Sequence, residues 1–194
     1  MVRILEIEEY AKKNNVPIME KDGIDFLTNY IKEHNIKNIL EIGSAIGYSA
    51  IKMALVDRDI KVTTIERDFN RYNIAVENIK DFNLKNQINI INADALEFDV
   101  DGFYDLIFID AAKSQYIKFF EKFKKNLNKN GVIISDNLNF HGLVNADINT
   151  LSRNVRGLVR KLNSFHGFLE QNEEFITDFL AIGDGIGVSI RNPK

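Results

Sequence analysis

Residues 38–49 read NILEIGSAIGYS, and this stretch is the strongest guide to the fold of the chain. Its first half is a short apolar run that ends at Gly43, which is typical of a buried β-strand. Residues 48–56 then follow a helical pattern. The stretch therefore predicts a strand, a glycine-containing loop and a helix in succession.

The same alternation continues on both sides of this unit. Further helices are predicted over 4–13, 22–34, 70–82 and 114–127, and further strands over 61–66, 88–91, 105–110 and 131–135. Strands that alternate with helices of this length indicate a mostly parallel sheet with helices on both faces. Residues 177–182 and 186–191, joined by the turn Gly183-Asp184-Gly185, predict an antiparallel hairpin at the end of this α/β fold.

Length and composition favour one domain over residues 1–194 and exclude several classes of protein. The chain has no cysteine, which excludes disulfide scaffolds, thiolate metal sites and cysteine nucleophiles. A net charge of −3 excludes binding of nucleic acid by bulk positive charge, although a local basic face stays possible. No apolar run approaches the ~18 residues of a membrane span, and the first residues, MVRILEIEEYAKK, have acids where a secretory signal would have its apolar stretch. We therefore expect a cytoplasmic protein with no membrane partner.

Polar side chains follow the predicted strands where ligands of open parallel sheets bind. Gly43 and Gly47 are four residues apart, which does not match the glycine spacing of dinucleotide binders and disfavours a nicotinamide-dependent oxidoreductase. Glu66 ends the second strand at about the spacing from which an acid meets ribose hydroxyls, or it is a solvated strand-end acid. Asp94 and Ala95 could frame an adenine edge, or Asp94 could cap a helical turn.

Asp110, Asp136 and Asn137 end two adjacent predicted strands, so we expect their side chains to lie close together. Two carboxylates and an amide carbonyl are ligands suited to Mg²⁺, with coordination positions left for substrate. The alternative to a metal site is that the two acids cap loops at the strand ends. Lys113 lies three residues past Asp110, where it could act as a general base or pair with one of these carboxylates.

Five ordered motifs together resemble a known family: LEIGSAIGYSAIKMA (40–54), TIER (64–67), NADAL (92–96), DLIFIDAAKSQY (105–116) and GVIISDN (131–137). The sequence is similar to the cation-dependent O-methyltransferases that use S-adenosylmethionine, which include catechol and caffeoyl-coenzyme A O-methyltransferases. Within the family it looks most like the bacterial tRNA 5-hydroxyuridine methyltransferases. Ala45 departs from the broader pattern, which often has a glycine there.

The resemblance implies a Rossmann-like class I methyltransferase fold with a seven-stranded sheet, a homodimer, and N-terminal helices within 1–35 that form part of a lid. It implies that S-adenosylmethionine is held by Met19, Gly43, Ser49, Glu66, Asp94, Ala95 and Asp110. It further implies that Asp110, Asp136 and Asn137 bind Mg²⁺ and that Lys113 is catalytic.

The metal site fits any substrate with two adjacent oxygens, which includes both catechol and 5-hydroxyuridine, so the surroundings must decide. Residues 148–169 contain no acid and carry four basic residues, Arg153, Arg156, Arg160 and Lys161. These side chains could contact tRNA phosphates, or they could form a solvated helix surface. We therefore expect methylation of wobble 5-hydroxyuridine in tRNA. A small-molecule O-methyltransferase and a non-catalytic RNA-binding module are the alternatives.

Aromatic and histidine side chains give weaker signals. Tyr116 and Phe140 could stack on a flipped-out base or belong to the core. His34, His141 and His166 show no metal-ligand spacing and are interpreted as structural or surface residues.

Overall fold

The computed structural model describes residues 2–139, 142 and 151–193. Its helices are α1 (Val2–Asn14), α2 (Lys21–Glu33), α3 (Tyr48–Ala54), α4 (Phe69–Asp81), α5 (Tyr116–Phe123) and α6 (Arg153–Glu170). Its strands are β1 (Asn38–Ile42), β2 (Lys61–Glu66), β3 (Ile88–Asn92), β4 (Tyr104–Ile109), β5 (Leu127–Ser135), β6 (Phe175–Leu180) and β7 (Ile186–Arg191).

The seven described strands form one sheet in the order β3-β2-β1-β4-β5-β7-β6. Strands β1 to β5 pair in parallel, whereas β7 is antiparallel to both β5 and β6. The predicted fold class is therefore confirmed, with a seven-stranded, mostly parallel sheet that ends in an antiparallel hairpin. The strand order reverses between β1 and β4, which is where open α/β sheets bind ligands.

Apolar residues on both sides of each central strand explain why helices cover both faces. In β4, Leu106 and Phe108 pack into a core with side chains of α1 to α4, and Ile107 and Ile109 pack into a second core with α5 and α6. All four side chains are fully buried. Continuous apolar strands of this kind are typical of parallel sheets that no solvent reaches.

The helix predicted over 114–127 is shorter than expected, because α5 covers only Tyr116–Phe123 between short 3₁₀ turns. The buried Asn126 side chain donates to the carbonyl oxygens of Val100 and Gly102, which stops the helix before β5. Strand β5 therefore begins at Leu127 rather than at the predicted residue 131.

Helix α1 is joined to the central unit by a hydrogen bond from the Tyr48 hydroxyl to Glu8 Oε1, at 2.7 Å. Tyr48 begins α3, directly after the glycine-containing loop. This contact connects the N-terminal helices to the end of the sheet where a lid is expected. Across the part of the chain that the structure describes, no helix is both long and apolar enough to cross a membrane.

Candidate active site

A cavity of about 300 Å³ opens at the carboxyl ends of β1, β2 and β4. That volume is at the lower end of the range for small-molecule sites. This cavity is lined by all the residues predicted to bind the donor, by two of the three predicted metal ligands and by the predicted catalytic lysine: Met19, Gly43, Ser49, Glu66, Asp94, Ala95, Asp110, Asn137 and Lys113. Asp136 lies just behind the lining, with a side chain that is almost fully buried.

The loop after β1 approaches β4 so closely that only glycine fits at its first position. Gly43 has φ of 94°, and a Cβ atom there would lie 2.4 Å from the carbonyl oxygen of Asp110. Ala45 also has a positive φ, at 45°, which explains why a glycine is often found at this position of the motif. The loop backbone is thus held in a conformation that leaves its edge open to a ligand.

Glu66 is not the solvated strand-end acid of the alternative interpretation, because only 7% of it is exposed. Its Oε2 accepts from the backbone N–H of Ala45 at 2.8 Å, and its Oε1 accepts from the backbone N–H of Asp68 at 2.8 Å. The carboxylate therefore joins the loop after β1 to the loop after β2. Contact with ribose hydroxyls stays a prediction that this position on the cavity wall supports.

Asp94 caps a turn, as its alternative interpretation proposed. Its Oδ1 accepts from the backbone N–H of Leu96 at 2.9 Å. Asp94 and the buried Ala95 both remain on the cavity wall. The capping bond fixes the backbone of this loop, so it is compatible with the predicted contact to adenine.

Glu41 is a buried acid for which the sequence analysis predicts no role. It is fully buried in β1, and it accepts hydrogen bonds of 2.5 Å from the hydroxyls of Ser49 and Thr64. The sequence signal was an isolated acid inside an apolar strand, but its partner Thr64 is revealed only by the β1–β2 register. Because Ser49 lines the cavity, Glu41 fixes one of the predicted donor contacts from behind.

We expect Glu41 to make the stability of the protein depend on pH. Burial raises the pKa of Glu41 to about 7, and the bonds from Ser49 and Thr64 only partly oppose this. A carboxyl with a raised pKa holds its proton more tightly when folded. Its contribution to the free energy of unfolding therefore falls between pH 4.5 and about 7, by up to about 3 kcal/mol.

Glu41→Gln should remove this dependence, and urea unfolding of both proteins at pH 5 and pH 8 measures it. Taking the difference between the two proteins at each pH cancels the titration of the other buried acids. Parallel stability profiles for the two proteins would show that Glu41 is ionised at pH 5 in the fold.

Asp110, Asp136 and Asn137 converge as predicted. Asn137 Nδ2 lies 2.7 Å from Asp136 Oδ2 and 3.3 Å from Asp110 Oδ1, so one amide bridges the two carboxylates. Asp110 follows β4 and Asp136 follows β5, and the parallel pairing of these strands brings their ends together. The arrangement concentrates two acids and one amide at the deep end of the cavity.

This side-chain set fits a divalent cation. Burial raises the pKa of both carboxyl groups, and the charge on Asp110 raises the pKa of Asp136 further. A cation held between two such acids would offset their repulsion. A 180° turn of the Asn137 amide would present its oxygen instead of its nitrogen to the same place. Among the described residues, no group of three or more histidine or acidic side chains could hold a metal ion, so a site here would depend on the Asn137 amide as a ligand.

Lys113 stands at the mouth of this cluster, in the short 3₁₀ turn after β4. Its Nζ donates to Asn137 Oδ1 at 2.9 Å. The lysine therefore lies where a proton could be taken from an acceptor bound beside Asp110 and Asn137. Its predicted pairing with the cluster and its predicted role as a base are both compatible with this position.

The basic residues of α6 divide between two faces. At 100° per residue, Arg153, Arg156 and Arg160 fall within about 60° of one another, on the side opposite the buried Leu162, Phe165 and Leu169. Lys161 points to the other flank of the helix and does not share this face. The three arginines are called the arginine face below, and RNA binding by them and by Lys161 stays a prediction.

The remaining candidates have structural positions. Tyr116 is buried and packs edge-on against Phe165 at 5.3 Å, so it belongs to the core and cannot stack on a base. His34 stacks on Tyr30, and His166 bonds to the carbonyl oxygen of Leu138. Phe140 and His141 lie outside the described residues.

Comparison with known proteins agrees with this architecture. The crystal structure of a "putative caffeoyl-CoA O-methyltransferase" from Staphylococcus aureus is 42% identical, with a TM-score of 0.93, over 97% of this chain and 92% of that one. An O-methyltransferase from Bacillus cereus, crystallised with S-adenosylhomocysteine (SAH), is 26% identical, with a TM-score of 0.82, over 99% of this chain and 91% of that one. The caffeoyl-CoA O-methyltransferase of Populus kitakamiensis is 30% identical over 92% of this chain and 80% of its own length.

The sheet order and the cavity at the switch point define a Rossmann-like methyltransferase. The O-methyltransferase family model matches residues 2–192, and the chain belongs to this family. It is an S-adenosylmethionine-dependent O-methyltransferase of the caffeoyl-CoA type.

Proposed function

We propose that this O-methyltransferase requires Mg²⁺ and methylates 5-hydroxyuridine at the wobble position of tRNA. The convergence of Asp110, Asp136 and Asn137 beside the donor cavity supports the metal requirement. The arginine face supports an RNA substrate. Mg²⁺ bound by these three residues would lower the pKa of a coordinated hydroxyl and orient two adjacent oxygens.

The chain's own residues supply alignment and proton transfer. Methyl transfer from a sulfonium is an in-line displacement, in which the new O–CH₃ bond forms as the S–CH₃ bond breaks. Gly43, Ser49 and Glu66 would hold the donor along the cavity. Lys113 Nζ, in its neutral form, would accept the proton of the acceptor hydroxyl.

The charge distribution of α6 favours an anionic partner. Arg153 and Arg156 lie in the first turn, which has no acid, at the helix end where the dipole is already positive. Cations there are unfavourable for the isolated helix. Within the described ranges, the guanidinium groups of the three arginines make no ion pair or hydrogen bond, and the only side-chain bond to these residues runs from the Ser164 hydroxyl to the Arg160 carbonyl oxygen. Helix α6 also packs against the 3₁₀ turn that carries Lys113, so a bound phosphate backbone would run close to the active site.

The names of the plant and bacterial relatives support a second candidate, a small-molecule O-methyltransferase for catechol-like acceptors. The deciding experiment supplies S-adenosylmethionine, Mg²⁺ and either tRNA that carries 5-hydroxyuridine or a free catechol, with EDTA as a control. Nucleoside mass spectrometry should find methoxyuridine only when Mg²⁺ is present. Methylated catechol with unmodified tRNA would establish the small-molecule function instead. No product from either acceptor, with no donor binding by calorimetry, would favour the non-catalytic module.

The arginine face gives a prediction specific to RNA. Arg156→Ala combined with Arg160→Ala should lower kcat/KM for tRNA by ~10–100-fold. The slope of the logarithm of the tRNA binding constant against the logarithm of salt concentration should fall by the amount expected for roughly two lost phosphate contacts. Turnover of a free catechol should not change. Arg58→Ala removes a highly exposed arginine outside the arginine face and is the matched control. Equal loss with both acceptors would assign Arg156 and Arg160 to the stability of α6 instead.

The homodimer also stays a proposal. Ile176 and Ile190 pair across β6 and β7 and are each about half exposed, so they form an apolar spot near the edge of the sheet. Light scattering of the purified protein would give its oligomeric state directly.

A further inference from the structure

Asn137 has a backbone conformation that most residues avoid. Its φ is 63°, in the left-handed region where glycine is favoured and asparagine is tolerated. Such a conformation persists when surrounding contacts hold the chain on both sides. The contacts around residues 136–139, here named the ligand loop, therefore decide where the Asn137 side chain lies.

Side chains from two helices hold the carbonyl groups on either side of Asn137. The Tyr116 hydroxyl, from α5, donates to the carbonyl oxygen of Asp136 at 3.0 Å. His166 Nε2, from α6, lies 3.0 Å from the carbonyl oxygen of Leu138. A carbonyl oxygen only accepts hydrogen bonds, so Nε2 must carry the proton in this contact.

The turn between β6 and β7 holds the next two amides of the ligand loop. The N–H of Leu138 donates to Gly185 O at 2.9 Å, and the N–H of Asn139 donates to Asp184 O at 2.7 Å. A Cβ atom on Gly185 would lie 2.8 Å from the Asn139 nitrogen, so the turn is pressed against the loop. On the other side of Asn137, the N–H of Asp136 donates to Ile109 O at 3.1 Å. Backbone bonds therefore hold the amides of the ligand loop, and the two side chains hold the carbonyl groups on either side of Asn137.

We infer that Tyr116 and His166 are positioning residues, which place the Asp136 and Asn137 side chains by clamping the main-chain carbonyls on either side of Asn137. The inference rests on the proposed role of these two side chains as ligands. Tyr116 and His166 bond to main-chain carbonyl oxygens of the ligand loop and do not line the cavity, so they are not catalytic residues. The clamp also connects α6, which carries the arginine face, to the active site.

Three variants separate the hydrogen bonds from packing. Tyr116→Phe removes the hydroxyl and keeps the ring in its contact with Phe165. The His166 ring stacks on Phe179 with their centroids 4.9 Å apart. His166→Phe keeps a ring in this place but removes the N–H donor. His166→Gln loses the ring and retains an N–H donor at a similar reach. Tyr104→Phe is the matched control, because Tyr104 is also buried and bonds to a carbonyl, Asp101 O at 3.1 Å, at the other end of β4.

Amide hydrogen exchange of Leu138 and Asn139, without metal or substrate, is the first measurement. Tyr116→Phe and His166→Phe should speed this exchange by about fivefold, the factor that one hydrogen bond is worth. His166→Gln and Tyr104→Phe should stay within about twofold of wild type. The second measurement is Mn²⁺ binding by electron paramagnetic resonance in the SAH complex. Mn²⁺ affinity should fall by ~10-fold or more in Tyr116→Phe and His166→Phe, with SAH affinity unchanged.

Unchanged exchange in Tyr116→Phe and His166→Phe would overturn the inference, and so would equal acceleration in Tyr104→Phe. Faster loop exchange with unchanged Mn²⁺ affinity would also overturn it, because the clamp would then not place the ligands. A wild-type protein that binds no Mn²⁺ would refute the metal part of the proposed function instead. The exchange comparison would then decide alone whether the two side chains hold the ligand loop.

Discussion

Asp136→Ala is expected to abolish methyl transfer while leaving the fold intact. The Asp136 side chain is almost fully buried and contacts the Asn137 amide, so its removal takes one of two carboxylates from the proposed metal site. Loss of several kcal/mol of stabilisation from that site corresponds to a fall in kcat/KM of at least ~10³-fold. Burial and the neighbouring Asp110 already oppose ionisation of Asp136, so the variant should unfold at no lower temperature than wild type.

The measurement is initial rates with and without EDTA, together with thermal unfolding. Wild-type protein in EDTA should fall to the level of the variant, and the variant should lose nothing more when EDTA is added. Asp178→Ala, on the exposed side of β6, should behave as wild type. Wild-type rates from Asp136→Ala in EDTA would remove the metal from the proposed function.

The site could be predicted from the sequence to the extent that it depends on strand ends. Parallel strands place their carboxyl ends at one edge, so the order of β4 and β5 was enough to bring Asp110 beside Asp136. Gly43 was recognisable because it follows a buried strand directly. The steric reason for it, the close approach of Asp110 O, required the coordinates.

Contacts that depend on register or on helix orientation could not be predicted in the same way. Glu41 and Thr64 are far apart in sequence and meet only because β1 and β2 pair in one particular register. Tyr116 was interpreted as either a core residue or a stacking platform, since spacing does not tell which way an aromatic ring points.

Glu66→Ala is expected to weaken binding of the methyl donor by ~1–3 kcal/mol, or about 5- to 150-fold in dissociation constant. The carboxylate lies on the cavity wall at the predicted ribose position, where a charge-assisted hydrogen bond would be lost. The same oxygens accept from the N–H groups of Ala45 and Asp68, so the loops after β1 and β2 also lose their common partner. Both effects lower affinity, and calorimetry with SAH measures their sum.

Asp68→Ala separates donor binding from loop stability. Asp68 is an exposed acid two residues away, and its side chain caps α4 by accepting from the N–H of Arg71 at 2.9 Å. Loss of that cap should cost about 1 kcal/mol of stability with no change in SAH affinity. Unchanged SAH affinity in Glu66→Ala would exclude both the ribose contact and any contribution of the joined loops to donor binding. A loss confined to Glu66→Ala, with adenosine binding weakened by the same factor, would place the interaction at the ribose end of the donor.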